Sequence, residues 1–329
     1  MSRSPDPLQA SQASQAGPAT SSTPGNAKGA FAIETLGLRK NFGKLTAVDG
    51  LTISVPAGII AGFIGPNGAG KTTTLRLLLG LVRPSAGSAT ILGHPLAESD
   101  KYLPHVGALI EAPAFYPSLS GRTNLEVLAR LGGVASSRVD ELLDLVDLSK
   151  RARDRVGSYS LGMKQRLGIA MALLPDPDLL ILDEPANGLD PLGIVQVRDL
   201  LRRLRDQGKT ILLSSHLLGE LERVTDWLVM INQGTLLFSG PARDLLAQRA
   251  ELVVEAEATA QLELVERLAS GAGYTVTRED RTLRIISPAS YANTLNQQIR
   301  DAGATGVTIQ SREASLESLF LALLKGEHA

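Results

Sequence analysis

Gly65-Pro66-Asn67-Gly68-Ala69-Gly70-Lys71-Thr72 follows the apolar run Ile59 to Ile64 and leads into the run Thr72 to Leu81. A short apolar strand, a glycine-rich turn and a helix, in that order, make a phosphate-binding loop, and the segment satisfies G-x-x-x-x-G-K-[ST] at every fixed position. Glycines let the backbone wrap closely, so that its N–H groups and the helix N-terminus face phosphate oxygens. Lys71 is then expected to reach the β and γ oxygens, and Thr72 to ligate Mg²⁺. Gly65, Pro66, Asn67, Gly68, Ala69, Gly70, Lys71, Thr72 and Thr73 are therefore the expected contacts to a nucleoside triphosphate. A glycine turn with an incidental lysine would lack the flanking strand and helix.

Strand-like and helix-like runs alternate on either side of this loop. Ile33 to Leu38 and Leu51 to Val55 read as strands before it. After it, Ser160 to Leu174, Leu179 to Leu182, Leu192 to Arg205, Thr210 to Leu213 and Trp227 to Ile231 alternate helix with strand, predicting a parallel sheet covered by helices. Between about 97 and 157 the apolar spacing turns helical, at Leu125 to Leu131 and Val139 to Val146, which predicts a helical insertion. The buried-type strand Leu179 to Leu182 ends in two acids. Asp183 is the expected metal-side carboxylate, and Glu184 is placed to polarise the water that attacks the γ-phosphate. Alone, the two acids would serve equally well to end a strand at Pro185.

At 329 residues the chain has room for two domains. Residues 1–30 are rich in Ser, Ala, Gln, Pro and Gly and read as a disordered tail, without the apolar core of a secretory signal. Residues 31–247 form the nucleotide-binding unit, and 248–329 run strand, helix, strand, strand, helix, strand and then the helix Leu316 to Leu324, an order that resembles a ferredoxin-like unit. Lysine plus arginine number 33 against 34 acidic residues, which leaves no global field to steer the chain onto nucleic acid. There is no cysteine for disulfides or thiolate metal sites, in keeping with a reducing cytoplasm. No apolar run approaches the roughly 20 residues that a spanning helix needs.

Tyr159-Ser160-Leu161-Gly162-Met163, followed by Lys164-Gln165-Arg166, opens a helix with Ser160 as its N-cap. Standing between the phosphate loop and the Asp183-Glu184 strand end, it resembles the signature sequence of ABC-type ATPases, and the stretch from about Ile33 to Ala247 matches that family. The resemblance implies a P-loop α/β fold with a mostly parallel core sheet, an antiparallel β subdomain and a helical insertion, here joined to the small C-terminal α+β unit. It also implies a head-to-tail dimer, with a second copy or a close homologue. Each ATP would lie between one subunit's Gly65 to Thr72 loop and the other's Ser160, Leu161 and Gly162. His216, after Ser214-Ser215, is implied as the γ-phosphate switch; Asp190 in Gly188-Leu189-Asp190 as the loop coupling the two sites; Phe42 as the aromatic that stacks on adenine.

One position departs from the family pattern. Where its members carry a glutamine that touches Mg²⁺ and feels the membrane partner, Ala108-Leu109-Ile110-Glu111-Ala112-Pro113 holds Glu111. A carboxylate still ligates Mg²⁺, while adding negative charge beside the γ-phosphate. Residues 110–117 together with 159–165 resemble the subgroup that exports drugs and peptide antibiotics, bacitracin exporters among them. The expected function is thus an ATPase, held at the inner face of the membrane by a separate permease. A soluble ABC-type ATPase acting on translation or DNA is the alternative, disfavoured by the single cassette and the absence of sustained heptads.

Overall fold

In the computed structural model, which describes residues 30–111, 114–215, 224–247, 250–288, 290–313 and 315–324, the chain opens with a long hairpin. Strands β1 (Phe31–Phe42) and β2 (Leu45–Pro56) pair antiparallel around the turn at Gly43 and Lys44. The sequence led to shorter strands, because polar residues at the solvent end break the apolar alternation while backbone pairing continues. The expected tail and His216 lie outside the described residues.

Strand β3 (Ile60–Ile64) enters the phosphate loop, and helix α1 (Lys71–Leu78) leaves it. The helix stops short of the predicted Leu81 because the chain turns left-handed at Gly80, φ 69°. Strands β4 (Ala86–Ile91) and β5 (His94–Pro95) complete a four-stranded antiparallel sheet in the order β2-β1-β4-β5. A one-turn helix, α2 (Ser99–Tyr102), then precedes β6 (Val106–Leu109), a strand inside the stretch that the sequence pattern made helical. The insertion's helices are α3 (Gly121–Leu131) and α4 (Ser136–Leu145). Next come α5 (Leu161–Ala172), β7 (Leu179–Asp183), α6 (Pro191–Asp206), β8 (Thr210–Ser215), β9 (Trp227–Asn232), β10 (Thr235–Pro241) and α7 (Ala242–Ala247).

The central sheet runs β10-β9-β3-β8-β7-β6, parallel except for β10 at its edge. β3, β7 and β8 are buried along their whole length, as strands covered on both faces must be. Alternate residues feed two cores: Ile60, Ile64, Leu180 and Leu182 join the helical side, while Ala61, Phe63, Leu179 and Ile181 join α1 and the antiparallel sheet. Register then fixes the site. Ile64 pairs with Ser215, Asp183 with Ser214 and Leu109 with Leu182, so the phosphate loop, the two acids and the Glu111 loop all emerge at the carboxyl edge of one sheet.

Beyond residue 249, β11 (Ala250–Ala256), α8 (Thr259–Gly271), β12 (Thr275–Glu279), β13 (Thr282–Ser287), α9 (Tyr291–Asp301) and β14 (Val307–Glu313) follow the predicted βαββαβ order. Their antiparallel sheet, β12-β13-β11-β14, has the strand arrangement of a ferredoxin-like unit. One face of it packs Leu252, Val254, Leu283 and Ile285 against α8 and α9. Ile286, pointing the other way, joins α10 (Leu316–Leu324) through Leu316, Leu319 and Phe320 in the same apolar cluster as the central sheet. The C-terminal helix is therefore a shared wall rather than a trailing element.

Candidate functional site

At its two ends the glycine loop is held by backbone contacts that leave no room for a side chain. A Cβ on Gly65 would sit 2.5 Å from the Ile231 carbonyl oxygen, and one on Gly70 would sit 2.3 Å from that of Ala47. Gly70 is also left-handed, φ 101°, and as the N-cap of α1 it brings no side chain to occupy the first-turn N–H groups. Those donors have no intrahelical acceptors, and together with the helix dipole they make an anion seat.

Lys71 is buried, and its ammonium donates to the Gly65 carbonyl at 2.7 Å while lying 3.4 Å from Glu184 Oε1. Thr72 Oγ1 donates to Asp183 Oδ2 at 2.8 Å. Ser214 completes the set from the neighbouring strand: its hydroxyl donates to Asp183 Oδ1 at 2.5 Å and accepts from the Glu184 backbone N–H at 2.9 Å. Gln165, on α5, reaches the Glu184 carbonyl at 3.4 Å. Glu184 itself has φ 50°, so the chain turns abruptly as it leaves β7.

An open cleft of about 940 Å³ lies over the loop, lined also by Phe42, Leu45, Thr46, Glu184, Asn187 and Gln233. Phe42 is 49% exposed at the cleft wall, with the Lys40 ammonium over its ring, 4.9 Å from the centroid. Sequence reasoning missed Ser214 as a bridge and Asn187 and Gln233 as walls. Ser214 stood in plain view beside His216, but only strand pairing reveals which acids it serves.

Ser160, Leu161, Gly162 and Asp190 do not line this cleft. Ser160 accepts from the Met163 N–H and caps α5, and Asp190 accepts from the Gly193 N–H and caps α6. The two caps share one surface: Leu161 Cδ2 lies 3.0 Å from where a Cβ on Gly188 would be, and Leu189 packs on Gly162. Leu161, Leu192 and Val195 are exposed there. Glu111 is likewise absent from the cleft wall; its Oε1 pairs with Arg76 Nη2, on the second turn of α1.

The donor set suits Mg²⁺. Among the described residues no three His, Asp or Glu side chains converge to cage a metal, but magnesium takes one or two carboxylates, waters and the nucleotide's own oxygens. Thr72 and Asp183, already 2.8 Å apart beside the anion seat, offer hard oxygens of that kind. Among the described residues no helix is long and apolar enough to cross a membrane.

Comparison with known proteins agrees with this geometry. The family model described as ABC transporter matches residues 48–187. The bacitracin transport ATP-binding protein BcrA of Bacillus licheniformis is 40% identical over 300 residues, covering 89% of this chain and 97% of that protein. BcrA of Enterococcus faecalis is 38% identical over 300 residues, covering 90% and 97%. The lantibiotic transport ATP-binding protein SrtF of Streptococcus pyogenes is 41% identical over 200 residues, covering 61% of this chain and 86% of its own. Among solved structures, an ATP-binding subunit of an ABC transporter superposes with a TM-score of 0.59 at 31% identity, covering 65% of this chain and 91% of its own. The cbiO1 protein of Clostridium perfringens superposes with a TM-score of 0.61 at 22% identity, covering 74% and 98%, a likeness of fold.

Proposed function

The chain belongs to the ABC transporter family of ATP-binding proteins, and from that premise we propose that it hydrolyses Mg·ATP to energise a separate membrane permease that exports a peptide antibiotic or a drug. One observation carries the enzymatic half: Lys71, Thr72, Asp183 and Glu184 converge on the glycine loop at the carboxyl edge of the parallel sheet. The export half is supported by relatives named for bacitracin transport, whose 300-residue match is longer than the stretch 31–247 and so takes in the C-terminal unit.

Backbone N–H groups from Gly68 to Thr73 grip the phosphates, and the Lys71 ammonium, at present shared by Gly65 and Glu184, turns to the β and γ oxygens. Phe42 stacks on the adenine. Glu184 accepts a proton from the attacking water, held in position through its own N–H by Ser214 and through its carbonyl by Gln165. Thr72 and Asp183 hold the magnesium ion, which supplies charge neutralisation at the phosphates. His216 is assigned the γ-phosphate contact.

The site is completed by a second copy or a close homologue. Ser160, Leu161 and Gly162 face that partner's phosphate loop, and Asp190 couples the two sites. The exposed Leu161, Leu192 and Val195 supply apolar area for the contact. The protein is then peripheral, held at the cytoplasmic face through its permease.

Glu184→Gln is the direct test. It should keep nucleotide binding, lower turnover at least 100-fold, a typical contribution of a general base, and leave an ATP-held dimer on size exclusion. Wild-type turnover would remove Glu184 from the mechanism. Transport is tested by co-purification: recovery with ribosomes or DNA, and never with a membrane protein, would end that assignment.

A further inference from the structure

Three stretches of backbone meet at one point beside the phosphate loop. β9 and β10 are joined by Gln233 and Gly234, both left-handed at φ 48° and 80°, as a tight type I′ hairpin requires. Gly234 is buried there, and its two backbone groups serve different elements. Its N–H donates to the Ala69 carbonyl in the phosphate loop at 2.9 Å, and its carbonyl accepts from the Asp49 N–H in β2 at 2.9 Å.

The Ala47 carbonyl closes the triangle. Lys40 pairs with Val48 but Asn41 with Thr46, so one step along β1 is opposed by two along β2, and Ala47 is the extra residue of a β-bulge. Its oxygen lies 2.3 Å from where a Cβ on Gly70 would sit and 3.0 Å from where one on Gly234 would sit. The three atoms nearest to a Cβ on Gly234 all belong to the backbone of β2, so a methyl there pushes β2 and not the phosphate loop. Beyond the bulge, Asn41 to Thr46 form a tip that is exposed throughout and carries Phe42; its Asn41 N–H donates to Ser85 Oγ at 3.0 Å. With no buried residue of its own, the tip takes its position from the bulge.

We propose that Gly234 is a positioning residue for nucleotide selectivity: by clipping the bulge of β2 to the phosphate loop it fixes the aromatic arm at the span of a nucleoside triphosphate, so that the site favours ATP over a bare triphosphate tail. The proposal rests on the placing of adenine on Phe42 above. A stacked base contributes a factor of roughly 5 to 150 in affinity. That gain is largest when the ring and the phosphate seat already stand at the right separation, because ordering them on binding costs part of it.

The experiment uses the full chain and measures, by titration calorimetry, the affinities for Mg·ATP and for magnesium tripolyphosphate. Their ratio is the readout, since a loss of folded protein lowers both alike. Gly234→Ala should lower the ratio at least about fivefold, the lower end of a stacking contribution, while tripolyphosphate affinity stays within about twofold of the parent, the scale of a neutral substitution. Gly234→Asn carries the same Cβ on a residue that tolerates left-handed backbone, and should lower the ratio equally with less loss of stability. Gly93→Ala is the control: at φ 82° it imposes the same backbone strain, but nothing lies within 4 Å of the new Cβ, so the ratio should stay parental. A parental ratio in both Gly234 variants, a fall of the two affinities together, or an equal drop in Gly93→Ala would overturn the clip. Phe42→Ala separates the two levels. If it leaves the ratio parental, adenine does not stack there and the clip fails with that assignment; if it lowers the ratio while the Gly234 variants do not, only the clip fails. In the Phe42→Ala background Gly234→Ala should move the ratio by no more than about twofold, and a drop as large as in the parent would overturn positioning through Phe42.

Discussion

Replacing Ser214 by alanine tests whether the two acids are held by one hydroxyl. Ser214 is fully buried; it donates to Asp183 at 2.5 Å and accepts from the Glu184 N–H at 2.9 Å. A hydrogen bond to a charged partner contributes about 1.5–3 kcal/mol, and stranding a buried N–H costs about 1–3 kcal/mol. The two losses share one site and do not simply add, so the expected destabilisation is about 2–4 kcal/mol. Against a total of roughly 5–15 kcal/mol that is a large fraction. Urea unfolding followed by far-UV circular dichroism should show a lower midpoint with an unchanged slope. ATP turnover should fall by about tenfold to a hundredfold, because displacing a catalytic group by about 1 Å costs that order of rate. A midpoint shift worth less than about 0.5 kcal/mol, the range of a neutral surface change, combined with parental turnover, would refute the bridge.

Phe42→Ala removes the stacking face and should weaken nucleotide binding by about 1–3 kcal/mol, the range for base–aromatic stacking, with titration calorimetry of Mg·ATP as the measure; unchanged affinity would place adenine elsewhere. Phe320, on α10, is buried in the cluster shared with the catalytic sheet, so Phe320→Ala should cost about 3–5 kcal/mol. Its loss should lower the melting of the ATPase and C-terminal parts together, and separate transitions with only the latter shifted would contradict the shared wall. The phenols of Tyr102, Tyr159 and Tyr291 are each pushed above the ordinary tyrosine value by burial, with Asp154 adding to the effect at Tyr159. Folding therefore favours their neutral forms. That stability is complete below the unfolded value of about 10 and is lost as pH rises through the elevated folded values. The urea midpoint should drop above about pH 10 in step with tyrosinate absorbance; a flat profile would refute the burial effect.

Contiguous chemistry was legible in the linear chain. The loop from Gly65 to Thr72, the apolar strand ending at Asp183 and Glu184, and the capped helix at Ser160 each state their geometry within a few neighbouring residues, because φ/ψ preference, periodicity and capping act over one or two turns. The βαββαβ order past residue 249 was readable for the same reason. Strand β6 was not, since four residues inside a helical pattern carry too little periodicity to declare themselves.

The sequence by itself determined that a glycine loop lies between a buried strand and a helix and that a carboxylate pair stands at a strand end. Only the tertiary structure decided who stands beside whom: Ser214 under both acids from 30 and 31 residues away, Arg76 rather than the loop's cleft as the neighbour of Glu111 across 35, and α10 against the catalytic core. Such partners are set by the order and register of strands in a sheet, a property of long-range pairing that no local stretch of residues encodes.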